Sequence, residues 1–405
     1  MTDPVDLVRA AEARSYVLAN ATDLPRIDRA MLHSGPDAGI CFVAGDAPDL
    51  FWRTGPEFLD DPDAVGLFTP QQVGPAPYES PPDFAAVIGD AVLTGYRTFL
   101  TNDGRFFSDE VYYEPEVAQR QRDRLARPDP FSNECTGLTP AGEGRFVFAQ
   151  GDRPIRKIDG TVAVLLSDEP LSYGSFLFRF LPKVQTLRRL GLNDIRILTH
   201  PPSDSCRVLL RLVGIADENI IEHDLNAVTV IDRAIMPGLR NPNTFFAPES
   251  CALFAEIRKQ HGPPAQTRRL YVSRHSLNAE GWSTRILRNE VELIARLASL
   301  GFEVIEPENM PVEDQIAAFA AATIVVGPSG SGMFNSVFCH PGTKLIDIQS
   351  EPQWIYSYAG MYSSLSLRWG IFVGKADVIE CQPFHRPWDV NIDALITRVE
   401  AFLAA

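Results

Sequence analysis

The stretch Thr323-Ile-Val-Val-Gly-Pro-Ser-Gly-Ser-Gly332 joins a short apolar run to a glycine-rich loop. The apolar run predicts a buried strand, and the residues that follow predict a helix over 332–339. Glycines at a strand-to-helix turn let backbone N–H groups approach an anion, and the helix dipole favours its negative charge. A diphosphate is the natural ligand of such a loop. A tight turn with a purely structural purpose is an equally open interpretation.

Alternating strands and helices surround this loop. Leu270-Tyr-Val-Ser273 and Phe302-Glu-Val-Ile305 predict strands on either side of a helix over 285–300, and Lys344-Leu-Ile-Asp-Ile348 predicts the next strand. A similar alternation covers 162–260. This pattern predicts βαβ units with parallel sheets, which bind ligands at the carboxyl ends of their strands.

The 405 residues divide into regions on these patterns. The predicted regions are a strand-rich and loop-rich N-terminal region (1–155), a first Rossmann-like lobe (156–264), a second Rossmann-like lobe (265–380) and a C-terminal helix (381–405). Asn102-Asp-Gly104 predicts a hairpin turn within the first region. The paired prolines of Gly262-Pro-Pro-Ala-Gln-Thr267 predict a linker between the lobes, and the last helix is expected to cross back to the first lobe.

Composition excludes several classes of protein. A net charge of -15 without a cluster of Lys and Arg argues against a nucleic-acid partner. No apolar run approaches the roughly 18 residues that span a bilayer, and the first residues lack the features of a secretory signal. The cysteines form no C-x-x-C motif and no two histidines lie three or four residues apart, so no metal site is expected. We therefore expect a cytoplasmic protein.

The helix predicted over 285–300 carries a carboxylate on its apolar face. The apolar positions on that face are Ile286, Leu287, Leu293, Ile294 and Leu297. At about 100° per residue, Glu290 falls in the middle of them. Because a buried unpaired charge costs several kcal/mol, Glu290 should meet an arginine, ligand hydroxyls or backbone amides. Arg274, at the end of the preceding strand, is the obvious candidate, in an interior ion pair or together with a ligand.

Several separated motifs resemble glycosyltransferase family 61. They are Ser172-Tyr-Gly-Ser-Phe-Leu-Phe-Arg-Phe-Leu-Pro182, Tyr271-Val-Ser-Arg274, Arg288-Asn-Glu290 and Gly327-x-x-Gly-x-Gly332 with Asn335. The resemblance covers about residues 85–350. It implies a GT-B architecture, in which two Rossmann-like lobes face each other across a cleft. It also implies a nucleotide-sugar donor on the C-terminal lobe, an acceptor on the N-terminal lobe, and no metal or other cofactor.

The resemblance further implies roles for individual residues. Arg274 and Glu290 would be the catalytic groups, with Arg274 stabilising the charge of the leaving nucleotide. The residues that would face the donor are Ser329, Gly330, Ser331, Gly332 and Asn335. Tyr173 and Ser175 would lie on the acceptor side.

Two positions depart from the family pattern, because Ser175 and Ser329 stand where its motifs carry histidine. A hydroxyl cannot accept a proton near neutral pH, so any role of those imidazoles is lost. The predicted function is transfer of a sugar from a nucleoside-diphosphate donor to a saccharide or glycolipid in surface-polysaccharide biosynthesis, with peripheral membrane association. One alternative is a degenerate relative that binds sugar or nucleotide without turnover. The other is an NAD-dependent oxidoreductase, with Gly330-x-Gly332 on the pyrophosphate and Asp347 on a ribose.

Overall fold

The structure is a computed structural model that describes residues 3–19, 25–27, 32, 39–44, 50–60, 76–80, 82–108, 137–167, 169, 172–240, 245–261, 265–279, 285–350, 355–377 and 386–404. The chain divides by contacts into two compact units. Unit 1 comprises Met1–Asp49 and Pro81–Arg240, and unit 2 comprises Leu50–Ser80 and Asn241–Ala405. Both units combine helices with β-sheets, so the fold is mixed α/β.

The strands follow one another in this order: β1 (Ser15–Leu18), β2 (Arg26–Ile27), β3 (Gly39–Ala44), β4 (Leu50–Arg53), β5 (Phe58–Leu59), β6 (Ala76–Glu79), β7 (Phe84–Thr94), β8 (Thr98–Leu100), β9 (Arg105–Ser108), β10 (Leu138–Gly142), β11 (Arg145–Phe148), β12 (Ile155–Leu165), β13 (Arg196–Thr199), β14 (Ile220–Glu222), β15 (Val228–Pro237), β16 (Arg268–Val272), β17 (Glu303–Ile305), β18 (Ala322–Pro328), β19 (Lys344–Gln349), β20 (Arg368–Val373), β21 (Lys375–Ala376) and β22 (Trp388–Asp389).

The helices are α1 (Pro4–Glu12), α2 (173–189), α3 (Asp204–Leu212), α4 (Pro248–His261), α5 (His275–Ala279), α6 (Glu290–Ser299), α7 (Val312–Ala320), α8 (Ile355–Ser364) and α9 (Ile392–Ala404). Short 3₁₀ helices cover Asp217–Asn219, Pro307–Asn309 and Ser331–Phe338. Within the described ranges, no helix has both the length and the apolar character needed to cross a membrane.

One mixed sheet forms the centre of unit 1. Its strand order is β10-β11-β1-β9-β8-β7-β15-β12-β13-β14, with β3 also paired to β7 and β2 to β3. Strands β15, β12, β13 and β14 are parallel, and β7 pairs antiparallel with β15. Nearly all of β7 is buried, as its continuous apolar run requires. The N-terminal strands thus extend the parallel sheet, and this differs from the separate region predicted over 1–155.

The hairpin predicted at Asn102-Asp-Gly104 is confirmed. It connects β8 to β9, which pair antiparallel with Leu100 opposite Phe106. Gly104 adopts a positive φ of 82°, a conformation that glycine enters without steric cost.

A six-stranded parallel sheet forms the centre of unit 2, in the order β17-β16-β18-β19-β20-β5. The chain leaves β16 first for β17 on one side and then crosses back to β18 on the other. Strand order therefore reverses between β16 and β18, which makes this pair the topological switch point of a doubly wound sheet. Helices α6 and α9 pack with the strands in one apolar cluster that includes Leu293, Leu395 and Val399.

Two predicted elements of unit 2 differ in the structure. Helix α6 begins at Glu290 and not at 285, because Ile286 and Arg288 form backbone hydrogen bonds of 2.9 and 3.0 Å with Trp388. The prediction that the last helix crosses back to the first lobe is wrong: α9 buries Leu395 within the core of unit 2.

The division between the units falls after Arg240, upstream of the boundary predicted at 264. Helix α4 belongs to unit 2 because it packs against α7 and the 3₁₀ helix Ser331–Phe338. The rings of Phe254 and Phe338 meet edge to face at 6.0 Å there. Residues 264 and 380, which end two of the predicted regions, lie outside the described residues.

Candidate functional site

Strands β16 and β18 end side by side at the switch point of unit 2. Tyr271 of β16 lies opposite Val326 of β18, so both strands point their carboxyl ends to the same edge. Strand β16 continues into Ser273 and Arg274, and β18 continues into the loop that carries Ser329 and Gly330. Open α/β sheets bind ligands at this position.

The glycines of the loop allow it to approach the end of β16 closely. A Cβ on Gly330 would overlap Nη1 of Arg274, and a Cβ on Gly327 would lie 2.9 Å from both Cβ and the carbonyl oxygen of Val272. Gly330 has an extended backbone, with φ of 160°, which any residue can adopt. The loop therefore needs glycine here because it has no side chain, and not for its backbone conformation. The Arg274 guanidinium consequently lies directly against the loop.

Glu290 is buried, as the helical periodicity predicts, with 1% of its surface exposed. Its Oε1 atom accepts hydrogen bonds from the Tyr271 hydroxyl at 3.1 Å, the Ser273 hydroxyl at 3.0 Å and the backbone N–H of Arg274 at 2.9 Å. The carboxylate therefore holds the backbone of the turn after β16. A backbone amide was one of the partners expected for Glu290, and this contact makes Glu290 a residue that positions Arg274. The negative charge of Glu290 also counteracts the effect of burial, which lowers the pKa of the Arg274 guanidinium.

A small, partly open pocket lies at this edge of the sheet. The residues that line it are Arg274, Arg285, Pro328, Ser329, Ile348, Gln349, Ser350 and Trp388. Burial lowers the pKa of Arg274, and the positive charge of Arg285 lowers this pKa further. Two guanidinium groups thus share one partly enclosed space. Their planar donor geometry suits phosphate or carboxylate groups.

A network of buried polar side chains supports the pocket from below. The Gln349 amide donates to the Ser329 hydroxyl at 3.0 Å and to Oδ2 of Asp347 at 2.7 Å. The Tyr362 hydroxyl donates to the same Asp347 oxygen at 3.1 Å. Burial raises the pKa of Asp347 to about 7, against hydrogen bonds from Tyr362, Gln349 and Ser329 that lower it. Asp347 is fully enclosed, so it does not lie where the oxidoreductase alternative requires a ribose ligand.

The remaining residues predicted to bind the sugar donor differ in how deeply they are buried. Asn335 is fully buried, and its amide donates to Oε1 of Gln315 at 2.8 Å and to the carbonyl of Gly332 at 3.3 Å. It lies beneath the loop and holds it in place. Ser331 is exposed, and the amides of Ser331 and Gly332 at the start of the 3₁₀ helix have no acceptor within that helix.

The predicted acceptor-side residues lie in unit 1, at the start of α2. Ser172 caps this helix by accepting the backbone N–H of Ser175 at 3.2 Å. The Ser175 hydroxyl donates to the Glu169 carboxylate, and burial raises the pKa of Tyr173. One π-helical turn, Phe176–Phe180, follows directly and was not predicted. Such turns occur mostly as single insertions in α-helices, often at functional sites.

A protein-family model described as Glycosyltransferase 61 matches residues 173–346. The matched range begins at Tyr173 in unit 1 and continues through Arg274, Glu290 and the glycine-rich loop of unit 2. Over residues 173–346 the chain is similar to glycosyltransferase family 61. The family suggests a glycosyltransferase, whose substrates are in general a sugar donor and an acceptor. A search of curated proteins found no match for the chain.

Sequence reasoning predicted only Arg274 and Ser329 among the residues that line the pocket, and three of those it missed are Arg285, Gln349 and Trp388. Arg285 lies within the family 61 range but was assigned to a helix, whereas Gln349 and Trp388 lie beyond that range. Gln349 ends β19, so the rule that selected Arg274 at a strand end could also have found it. Trp388 joins the pocket through its pairing with residues 286–288, and no local pattern indicates such a contact.

A buried histidine pair in unit 1 was also missed. His200 and His223 follow β13 and β14 directly, and their ring centroids are 5.8 Å apart. Nε2 of His200 lies 2.8 Å from the carbonyl oxygen of Ser167. Burial lowers the pKa of His200 to about 4, and the neighbouring His223 lowers it further. Both histidines follow predicted strands, so strand ends were again the available signal.

Proposed function

We propose that unit 2 of this glycosyltransferase binds the diphosphate of a nucleotide-sugar donor. The observation that carries the proposal is the pair Arg274 and Arg285 in one pocket at the switch point of a doubly wound sheet. Burial and repulsion from Arg285 both disfavour the charged form of Arg274, whereas the negative charges of Glu308 and Glu290 favour it. A bound anion would offset that repulsion, and the Ser329 hydroxyl lines the same pocket.

We further propose that the two units form a GT-B arrangement, with a saccharide or glycolipid acceptor on unit 1. The support is the position of Tyr173 and Ser175 after β12, next to the point where strand order in unit 1 reverses between β12 and β15. A glycolipid acceptor would bring the protein to a membrane surface. Surface-polysaccharide biosynthesis is the process that such a transfer would serve.

Sugar transfer forms a bond between the anomeric carbon and an acceptor hydroxyl oxygen, which loses its proton, and breaks the bond between that carbon and the diphosphate oxygen. Negative charge therefore develops on the leaving diphosphate. In the proposed mechanism the guanidinium groups of Arg274 and Arg285 stabilise that charge. Gly330 and the backbone contact of Glu290 hold Arg274 in position before the donor binds. Hydrogen-bond donors that are already in position before the reaction lower the barrier, because they need no reorganisation in the transition state. This chemistry requires no metal ion.

Nothing in the structure favours the oxidoreductase alternative. The alternative of a degenerate relative that binds sugar or nucleotide without turnover would use the same pocket. Turnover of the donor distinguishes an active enzyme from it. Incubation with a panel of nucleotide sugars and measurement of released nucleoside diphosphate tests for turnover. We expect release to increase when a saccharide acceptor is added. Binding without any release would identify the degenerate relative.

Isothermal titration with UDP, GDP, ADP and CDP tests the donor site. We expect at least one of them to bind, and the Arg274→Ala and Arg285→Ala variants to weaken its affinity by tenfold or more. Charged hydrogen bonds contribute about 1.5 to 3 kcal/mol each, which corresponds to such losses. Arg296→Ala is the matched control, because Arg296 pairs with Asp393 at 2.9 Å on the surface of unit 2. Absence of binding by all four diphosphates would exclude the proposed site.

A further inference from the structure

We infer that Gln349 and Trp388 recognise hydroxyl groups of the bound nucleotide sugar. The amide oxygen Oε1 of Gln349 accepts a hydrogen bond from such a hydroxyl, and the indole N–H of Trp388 donates one. The inference rests on the proposed function of the pocket. These two residues then contact the carbohydrate part of the ligand, beside the arginines that bind its diphosphate.

The side chain of Gln349 has an oxygen atom for which the protein supplies no partner. Gln349 ends β19, lines the pocket and has no exposed surface. Its amide nitrogen donates to Oγ of Ser329 at 3.0 Å and to Oδ2 of Asp347 at 2.7 Å. Both N–H groups of the amide are thus used, and these contacts fix its orientation. Among the described residues, no donor reaches the buried Oε1 atom.

Trp388 presents the complementary case, a buried N–H group without an acceptor. It lines the same pocket and exposes 2% of its surface. Its six-membered ring faces Gly374, where a Cβ would lie 2.6 Å from Cε3 and 2.9 Å from Cζ3. Nε1 lies across the indole from that edge, and it has no hydrogen-bond partner within the described part of the chain.

The position of these two atoms distinguishes them from other unpaired groups of the interior. Buried polar groups without a partner are costly and uncommon in folded proteins. One also occurs at Nε1 of Trp369, a fully buried residue that does not line the pocket. Gln349 and Trp388 instead border one pocket together with two guanidinium groups. A ligand that the guanidinium groups hold there can supply the missing partners.

The chemistry of the two atoms selects the part of the ligand that they contact. Oε1 of Gln349 can only accept a hydrogen bond, and a diphosphate oxygen without a proton cannot donate one. A hydroxyl group both donates and accepts, so it can pair with either residue. In a nucleotide sugar the ribose and the transferred sugar are bonded directly to the diphosphate, whereas the base lies one ribose further away. The contact is therefore to hydroxyls of one of these two sugars.

Isothermal titration with a set of related ligands tests the inference. The ligands are the member of the UDP, GDP, ADP and CDP panel that binds, its dideoxyribose analogue, its glucose and xylose conjugates, and inorganic pyrophosphate. The dideoxyribose analogue lacks both ribose hydroxyls, and pyrophosphate has no carbohydrate. Trp388→Phe removes the indole N–H and keeps an aromatic ring. Trp369→Phe is the matched control, because it removes an unpaired indole N–H outside the pocket and should leave every affinity unchanged.

We expect Trp388→Phe to weaken the binding of a hydroxyl-bearing ligand by about threefold to tenfold, the range for one neutral hydrogen bond. A loss that occurs with the nucleoside diphosphate and disappears with its dideoxyribose analogue assigns the contact to the ribose. A loss confined to the sugar conjugates assigns it to the transferred sugar. Pyrophosphate should bind equally well to the variant and to the wild-type protein.

Gln349→Met provides a second variant, which lacks Oε1 at similar side-chain length. It should weaken hydroxyl-bearing ligands more than pyrophosphate, and this comparison decides the question even if Trp388→Phe does not fold.

Three results would overturn the inference and leave the proposed diphosphate site intact. Unchanged affinities for all ligands would show that neither atom contacts the ligand. Equal losses with pyrophosphate would show that the substitutions act on the arginines. An equal loss with the nucleoside diphosphate and its dideoxyribose analogue, but not with pyrophosphate, would assign the contact to the base. Failure of every diphosphate and of pyrophosphate to bind is the separate outcome that removes the donor site itself.

Discussion

Gly330 is the residue whose lack of a side chain most directly shapes the pocket. A Cβ at this position would overlap Nη1 of Arg274. We predict that Gly330→Ala displaces the guanidinium and weakens nucleoside-diphosphate binding by about tenfold, the equivalent of one charged hydrogen bond. Isothermal titration measures the loss.

A double-mutant cycle identifies the cause of that loss. In the Arg274→Ala background the clash is absent, so Gly330→Ala should cost little further affinity. Equal losses in both backgrounds would show that the alanine acts through the backbone of the loop and would contradict the prediction.

One carboxylate oxygen of Glu290 accepts hydrogen bonds from three groups of the protein interior. Glu290→Ala leaves all three without this acceptor, and we predict a loss of about 3 kcal/mol or more in the stability of unit 2. Glu290→Gln keeps an acceptor oxygen, so its loss should be about 1 to 2 kcal/mol. Urea unfolding followed by tryptophan fluorescence measures both.

Tryptophan fluorescence reports unit 2 because all five tryptophans lie in it, namely Trp52, Trp282, Trp354, Trp369 and Trp388. Equal unfolding midpoints for the glutamine and alanine variants would show that the hydrogen bonds to Tyr271, Ser273 and Arg274 contribute little.

At the scale of single residues, the sequence predicted burial better than it predicted partners. The spacing of Leu293 and Leu297 was enough to place Glu290 on the buried face, since helical periodicity is a local property. The contact of Glu290 with the Arg274 backbone depends on how the turn after β16 folds. Arg285 escaped prediction because its approach to Arg274 follows from pairing of residues 286–288 with Trp388, far along the chain.

At the scale of elements, α9 is part of the core of unit 2. Leu395 has no exposed surface and packs in the same cluster as α6. We predict that Leu395→Ala lowers the stability of unit 2 by about 2 to 5 kcal/mol, the usual range for a buried leucine. Hydrogen exchange of peptides from β16 to β20 should increase, while peptides from unit 1 keep their protection.

Glu400→Ala is the matched control for this helix, because Glu400 lies on its exposed face. The control should change exchange in neither unit. Increased exchange in unit 1 peptides of the Leu395→Ala variant would contradict the assignment of α9 to unit 2.

The elements that sequence reasoning found are those with local patterns. The strands and helices between 162 and 349 follow from alternating apolar runs. Strand pairing was not predictable in the same way. Strand β7 pairs with β15 through backbone hydrogen bonds, which do not depend on which side chains the two strands carry. The two residues of β5 are too few to show any periodicity at all.

At the scale of the whole molecule, the two units should respond to acid in opposite directions. The pKa of His200 is about 4 in the folded state, below its ordinary 6.5, so unfolding takes up protons between those values. Acidification from pH 6.5 to 4 therefore lowers the stability of unit 1. The pKa of Asp347 is raised from 3.8 to about 7, so folded unit 2 holds the extra proton and acidification from pH 7 to 4 stabilises it.

Urea unfolding at pH 7 and 4.5 tests this prediction, with circular dichroism for both units and tryptophan fluorescence for unit 2. The His200→Gln variant should reduce the acid sensitivity of unit 1, and Asp347→Asn should reduce the acid stabilisation of unit 2. If neither variant changes the pH dependence, other groups control acid stability.

Strand β5 has a consequence for the order in which the protein is made. It completes a sheet whose other strands come much later, as the pairing of Arg368 with Glu57 across 311 positions shows. During synthesis the segment around β5 leaves the ribosome before the Pro81–Arg240 part of unit 1, and all of that part must be made before β20 emerges. A nascent chain therefore carries an edge strand that waits for its partner, and long-range pairing of this kind slows folding. The late step of maturation is then completion of the sheet that carries the proposed donor pocket.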